Sequence, residues 1–241
     1  MPRLLLSVYW VCLFLLISRC GREKLQSNGA TPPIDSSVLA EEKTWLALGD
    51  SYTVGQGVPP EDRYPVQTTR WLRANGLPKM DDAQIIASTG WTTLNLLAAL
   101  QTQDPERKFD IVSVLSGVND QHQSHDTTGY RDRFLQILNK SIAFANHLPT
   151  HVVVISIPDY TVTPFGRNLD SAFTSQQIDQ YNTINREVSI AKGVQYLDIS
   201  ASFREASNNP SLVCGDGLHP SAIEYRKWAE RLGPLIKSVL K

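Results

Sequence analysis

The chain has 241 residues, 41% of them hydrophobic and 20% charged, a balance that suits a globular protein with a substantial core. A formal net charge of -1 and a pI near 6.5 supply no basic field for a nucleic acid backbone or an acidic membrane surface. Of the cysteines Cys12, Cys20 and Cys214 only the last lies in the body of the chain, which excludes an internal disulfide framework.

At the start of the chain, Pro2 and Arg3 precede the apolar run "LLLSVYWVCLFLLI", which then meets Ser18, Arg19 and Cys20. A spanning helix needs roughly 20 apolar residues, whereas a secretory signal has a basic start and a core of about 7 to 15, so residues 1–19 read as a signal peptide. A buried N-terminal helix and an uncleaved anchor are the alternatives. Cys20 resembles the site at which bacterial lipoproteins are cleaved and lipidated, but Arg19 stands where that motif has small residues. Lipidation at Cys20, with a membrane tether, and plain secretion therefore both stay open. Residues 20–43 are polar, carry Pro32 and Pro33 in a row and show no sustained period, which predicts a flexible tether ahead of a folded domain over 44–241.

Within the body, "TWLALG", "AQIIAST", "FDIVSVLSG", "HVVVISIP" and "VQYLDIS" read as strands. Amphipathic stretches separate or follow them, near 64–75, 92–100, 130–147, 175–191 and 221–240, and read as helices. Runs apolar on both faces and alternating with helices require a parallel sheet covered on two sides. The expectation is α/β: a three-layer α/β/α sandwich with a five-stranded parallel sheet and right-handed crossovers.

In such sheets functional groups collect beyond the carboxyl ends of the strands. There stand "GDSYT" with Ser51, "STGWTT" with Gly90, "SGVND" with Asn119 and, after the last strand, "CGDGLHPS" with Asp216 and His219. A serine hydroxyl needs a base that takes its proton as it attacks a carbonyl, and imidazole suits the task. His219 is the candidate base, and Asp216, three residues earlier on one tight turn, can reach its other ring nitrogen. The backbone N–H groups of Ser51 and Gly90 and the Asn119 side-chain amide are candidate donors to the oxyanion.

Each loop alone has an ordinary reading: Ser51 as a helix N-cap, Gly90 as a turn glycine, Asn119 and Asp120 as an Asx turn, His219 before Pro220 as loop punctuation. Their joint occurrence at successive strand exits selects the chemical one. These blocks, in this order, resemble the SGNH, or GDSL-type, hydrolases, with Tyr52 where the family's name has leucine. The resemblance implies a flavodoxin-like fold, Ser51 as nucleophile, Gly90 and Asn119 as oxyanion donors, and Asp216 with His219 as the paired acid and base.

Other sites fall away. The nucleophile elbow G-x-S-x-G would need glycine where Thr53 stands, and its acid comes from a loop remote from the histidine. The Gly-rich stretch 49–57 lacks a P-loop ending and reads as room for substrate beside Ser51. "HQSHD", 122–126, matches no zinc spacing and reads as a solvated loop from which His122 or His125 reaches the cleft. Trp91, Tyr160, Phe165 and Phe173 line either a substrate pocket or the core, and Cys214 reads as a small packing residue. The expected protein is an exported serine esterase needing no cofactor or metal and acting on a small-molecule ester. A lysophospholipid or short acyl ester is the first expectation, an acetylated carbohydrate the second, and a non-catalytic ligand-binding module the alternative class. Nothing in the sequence speaks to oligomeric state.

Overall fold

A computed structural model describes residues 41–102 and 108–241; the leader, Cys20 and nearly all of the tether lie outside the described residues. Each expected apolar run holds one strand: β1 (Trp45–Gly49), β2 (Gln84–Ala87), β3 (Ile111–Leu115), β4 (Val152–Ile155) and β5 (Gln195–Leu197). All neighbours are parallel, in the order β2-β1-β3-β4-β5. The inner strands β1, β3 and β4 are buried along their whole length, and the edge strands β2 and β5 only in part. That contrast is why the inner runs are the most continuously apolar.

Eight helices accompany the sheet among the described residues: α1 (Ser51–Val54), α2 (Tyr64–Ala74), α3 (Thr93–Thr102), α4 (Val118–Gln123), α5 (Thr127–Phe144), α6 (Ser171–Lys192), α7 (Ser200–Arg204) and α8 (Ala222–Leu240). The step from β1 to β2 crosses the sheet one way, and the steps through β3, β4 and β5 cross it the other way. Right-handed crossovers therefore place α2 on one face and α3, α5 and α6 on the other. The C-terminal α8 packs along α2 and completes the first face, giving the expected α/β/α sandwich. None of the described helices is long and apolar enough to cross a membrane.

Helices α5 and α6 begin earlier than periodicity alone suggests because their caps lie ahead of the first apolar residue. Asp126 accepts from the Thr128 and Gly129 N–H groups and starts α5, and Asp170 accepts from Phe173 N–H and starts α6. Helix α1 starts at Ser51, one residue after its N-cap Asp50, close to the N-cap reading of that serine, whereas α4 and α7 have no counterpart in the sequence reading because spans of one or two turns carry too few residues to show a period. Between the sheet and the α2/α8 layer lies an aromatic cluster. Tyr64 packs 6.4 Å from Trp45 and 6.1 Å from Trp228, which meets Tyr225 edge-on at 5.1 Å. The indole of Trp45 donates to Ser113 Oγ at 3.0 Å, so the one polar residue inside β3 is satisfied.

Gly49 ends β1 where the chain turns into the Ser51 loop. A Cβ there would sit 2.4 Å from the Leu115 carbonyl oxygen and 2.2 Å from Thr53 Oγ1. Leu115 is paired with Gly49 in the β1/β3 ladder, so relieving the contact would require the two strands to move apart. Gly49→Ala is expected to destabilise the protein by about 1–3 kcal/mol, read as a lower urea midpoint with unchanged slope. An unchanged midpoint would mean that the end of β1 can move away from β3.

Candidate active site

The loops at the carboxyl edge of the sheet bring the distant sequence blocks together. Ser51 is the first residue of α1, immediately beyond β1, and Asp50 caps that helix by accepting from Tyr52 N–H at 3.0 Å. The segment after β5 passes through α7 and two 3₁₀ turns and closes into a tight loop pinned by a Val213/Pro220 bridge. Cys214 N–H donates to the His219 carbonyl at 2.8 Å across this loop. His219 Nε2 lies 2.9 Å from Ser51 Oγ, and Nδ1 lies 2.7 Å from Asp216 Oδ2. Ser51 and His219 are only 4% and 5% exposed, so the contact between them is largely shielded from water.

The two carboxyl groups beside Ser51 have opposite environments. Burial alone would raise Asp216, but four donors overcome it: the Cys214 thiol, the N–H groups of His219 and Leu218, and the His219 ring. Together they hold its carboxyl down at about 2. It is an anion at neutral pH, aimed at the imidazole. Asp50 is fully buried, and its Oδ2 has no partner. Burial, with the charge of Asp120 adding, outweighs the Tyr52 N–H and pushes Asp50 up to about 8. Asp50 is therefore a neutral turn support, and Asp216 is the carboxylate that can orient and charge-balance the ring.

Gly90 and Asn119 converge on the same place. Gly90 has φ +80°, a conformation that L side chains rarely adopt, and a Cβ there would meet nothing within 4 Å. Neighbouring side chains pin its loop: Thr89 donates to Gln56 Oε1 at 2.7 Å and Gln123 Nε2 to the Gly90 carbonyl at 3.2 Å. Asn119 Nδ2 donates one hydrogen to the Trp91 carbonyl at 2.9 Å, which fixes the amide plane and leaves its second hydrogen for another acceptor. Behind these loops, buried Asp120 accepts from Thr93 N–H at 2.8 Å and pairs with Arg133 at 3.2 Å, tying the start of α3 to α4.

Ser51, Gly90, Asn119 and His219 line one cleft of about 190 Å³, together with Tyr52, Gln56, Tyr160, Phe165 and Leu218. Tyr160 and Phe165 thus stand in the wall. Phe173 lies on α6, exposed and outside that lining, and Trp91 packs against the core. Two further expectations need correction. Of the expected solvated loop 122–126, His122 and Gln123 are instead the last residues of α4, while 124–126 form an exposed loop as expected; the helix carries His122 into the cleft wall, and His125 falls beyond its end. The Gly-rich stretch is not simply room for substrate: a Cβ on Gly57 would meet Cys214 Sγ at 2.2 Å and Asp216 Oδ2 at 3.1 Å, so its tail packs against the acid-bearing loop.

Sequence reasoning missed Cys214. Its thiol donates to Asp216 Oδ1 at 3.0 Å, and burial and that carboxylate push the thiol up, so the hydrogen stays on sulfur. No sequence signal marks such a bond beyond Cys214 lying two residues before Asp216. Among the described residues no group of three His, Cys, Asp or Glu side chains could hold a metal ion.

Comparison with known proteins agrees with this architecture. The model of the GDSL-like Lipase/Acylhydrolase family matches residues 47–227. The crystal structure of TesA superposes with a TM-score of 0.65 at 16% identity, covering 82% of this chain and 99% of that one. A lipase/acylhydrolase from Enterococcus faecalis gives 0.58 at 22% identity, covering 82% and 95%; an acetylxylan esterase from Geobacillus stearothermophilus gives 0.57 at 20%, covering 80% and 94%. At such identities the likeness is one of fold. No curated protein matches the sequence.

The raised Asp50 carboxyl has a consequence for stability. Between its ordinary 3.8 and its folded value of about 8, the folded chain holds a proton that the unfolded chain has released. Its contribution is fully present below 3.8 and is lost as pH rises through about 8. The slope is at most about 1.4 kcal/mol per pH unit for one proton. Asp50→Asn keeps the acceptor for Tyr52 and removes the proton. Urea midpoints of both proteins from about pH 5 to about pH 8 should show the asparagine variant gaining on the parent as pH rises. Parallel curves would mean that Asp50 ionises normally in the fold.

Proposed function

Because the chain belongs to the GDSL-like Lipase/Acylhydrolase family, we propose that it is an exported serine esterase that works through an acyl-enzyme on short-chain acyl esters. The observation that carries this reading is the unbroken hydrogen-bonded chain from Ser51 through His219 to Asp216 at the floor of a cleft. The ring tautomer follows from its partners. The Asp216 anion accepts a hydrogen bond from Nδ1–H, which leaves Nε2 as an acceptor for the serine proton.

In acylation Ser51 Oγ adds to the ester carbonyl as its proton passes to His219 Nε2, and Asp216 stabilises the imidazolium. The tetrahedral oxyanion is met by the Ser51 and Gly90 N–H groups and the Asn119 amide, whose loops are held in place before substrate arrives. The imidazolium returns its proton to the departing alkoxide, leaving Ser51 acylated. Water, deprotonated by the same nitrogen, then attacks the acyl-enzyme and releases the acid.

A cleft of about 190 Å³ is small beside the roughly 300–1,000 Å³ that drug-sized ligands occupy, which favours a short acyl group over a long one. A fold shared with an acetylxylan esterase keeps acetylated carbohydrate among the short-acyl substrates, while the size of the cleft puts lysolipids, with their longer chains, behind them. Export rests on the apolar run within residues 1–19, with Cys20 as the candidate lipid attachment.

Hydrolysis of phenyl acetate should fall by at least about a thousandfold in Ser51→Ala, and an organophosphonate probe should label Ser51 in the parent alone. Equal rates, or folded protein that binds ester without labelling, would replace the esterase by a binding module. Mass analysis of protein recovered from the producing cells is expected to find residues 1–19 removed. An intact leader would overturn export by cleavage, and a mass increment on Cys20 would identify a lipoprotein.

A further inference from the structure

One wall of the cleft carries a line of polar side chains that ester hydrolysis does not use. Gln121 Nε2 donates to Gln177 Oε1 at 2.9 Å, Tyr160 OH donates to Gln121 Oε1 at 2.7 Å, and His122 Nδ1 lies 3.3 Å from the Tyr160 oxygen. The line has one direction. With its nitrogen turned to Gln177, the Gln121 amide offers Tyr160 an oxygen, and the phenol has a single hydrogen to give. Burial pushes Tyr160 up to about 12, so that hydrogen is present throughout the neutral range. The Tyr160 oxygen is thus left as an acceptor toward His122, and the imidazole proton belongs on Nδ1. Nε2 is then a bare acceptor.

Placement gives that acceptor a use. His122 follows Asn119 by three residues on α4, so both side chains leave the same helix face, and both line the cleft with Ser51. Gln121 and Tyr160 are 1% and 2% exposed, so the hydrogen bonds they make are shielded from water and costly to break. Phe165, 6.0 Å from the His122 ring and 6.3 Å from Tyr160, supports the imidazole from the side. The His122 ring thus stands between the polar Tyr160 and the apolar Phe165 in the lining of the cleft.

An ester group has no hydrogen to offer such an atom; a hydroxyl does. We propose that His122 Nε2 accepts a hydrogen bond from a free hydroxyl of the substrate, and that the preferred substrates are partial acyl esters of polyols, which keep an unacylated hydroxyl close to the scissile bond. This rests on the esterase reading above and narrows it. A partial ester of glycerol from lipid and a partly acetylated sugar share the required chemistry.

The test compares kcat/KM within one preparation of the full chain, with active sites counted by the organophosphonate, so that partial misfolding cancels. Monoacetylglycerol should exceed propyl acetate by about three- to tenfold, the effect of one neutral hydrogen bond at a half-open site. In His122→Phe the ratio should fall to about one, and His122→Gln, which can present an oxygen, should restore part of it. Tyr160→Phe should lower the ratio too, because Nδ1 loses the partner that sets the tautomer. A parent ratio near one, or a ratio untouched by His122→Phe, would overturn the hydroxyl contact while leaving the esterase standing. Failure of the parent to hydrolyse phenyl acetate or either acetate would instead remove the esterase reading and this contact with it. Mono-octanoylglycerol against an acetylated methyl glycoside with free hydroxyls separates the sources: a higher kcat/KM on the first assigns a lipid ester and on the second a carbohydrate ester, and either, if lowered by His122→Phe, supports the contact.

Discussion

The contact of 2.9 Å between Ser51 and His219 joins residues 168 positions apart, and nearly the whole domain lies between its two ends. Ser51 leaves β1, second in the sheet, while the chain reaches His219 only after β5 at the far edge. The segment that follows β5 must therefore travel back across β4 and β3 at the carboxyl edge. That need accounts for α7 and the 3₁₀ turns, and for the place of α8, which emerges from this segment beside α2 and seals the face under the site. The aromatic cluster of Trp45, Tyr64, Tyr225 and Trp228 sits where β1, α2 and α8 meet, so burial of apolar surface and closure of the site depend on the same elements.

The carboxyl groups at positions 50 and 216 show how local surroundings separate two identical side chains. Asp50 faces an apolar interior with one N–H donor, and a neutral acid is the cheaper state there. Asp216 is half-exposed and takes hydrogen bonds from its own loop, from Cys214 and from His219, so the anion is favoured. The division suits the proposed chemistry. One anion balances the imidazolium formed in the reaction, while a second charge beside the nucleophile would oppose the oxyanion.

How much of this the sequence discloses depends on the range of the interactions. Strand runs and long helices are written in period and length, so β1 to β5 and α2, α3, α5, α6 and α8 are legible within a few residues. The site blocks are legible because sheet topology sends every strand exit to one edge, which makes Ser51, Gly90, Asn119 and His219 neighbours before any contact is known. The rest depends on contacts without a local signature. That "VNDQHQ" is a helix follows from buried Asp120 fastening it to Thr93 and Arg133, residues 27 and 13 positions away. The line from Gln177 to His122 similarly depends on α4, α6 and the loop after β4 meeting in space.

The glycines after Ser51 show the same limit more sharply. As sequence, "GQG" following a strand and a serine suggests open space for a ligand. In the fold Gln56 fastens the Gly90 loop through Thr89, and Gly57, with φ +84°, lies where any side chain would strike Cys214 and approach Asp216. The glycine permits close approach of backbone to the acid-bearing loop, and that approach keeps the thiol on Asp216 Oδ1 while Oδ2 holds the imidazole. A substitution at Gly57 would therefore reach His219 through Cys214 and Asp216, two hydrogen bonds away. The Gly-rich run beside Ser51 is in this sense part of the frame that aims His219 at Ser51.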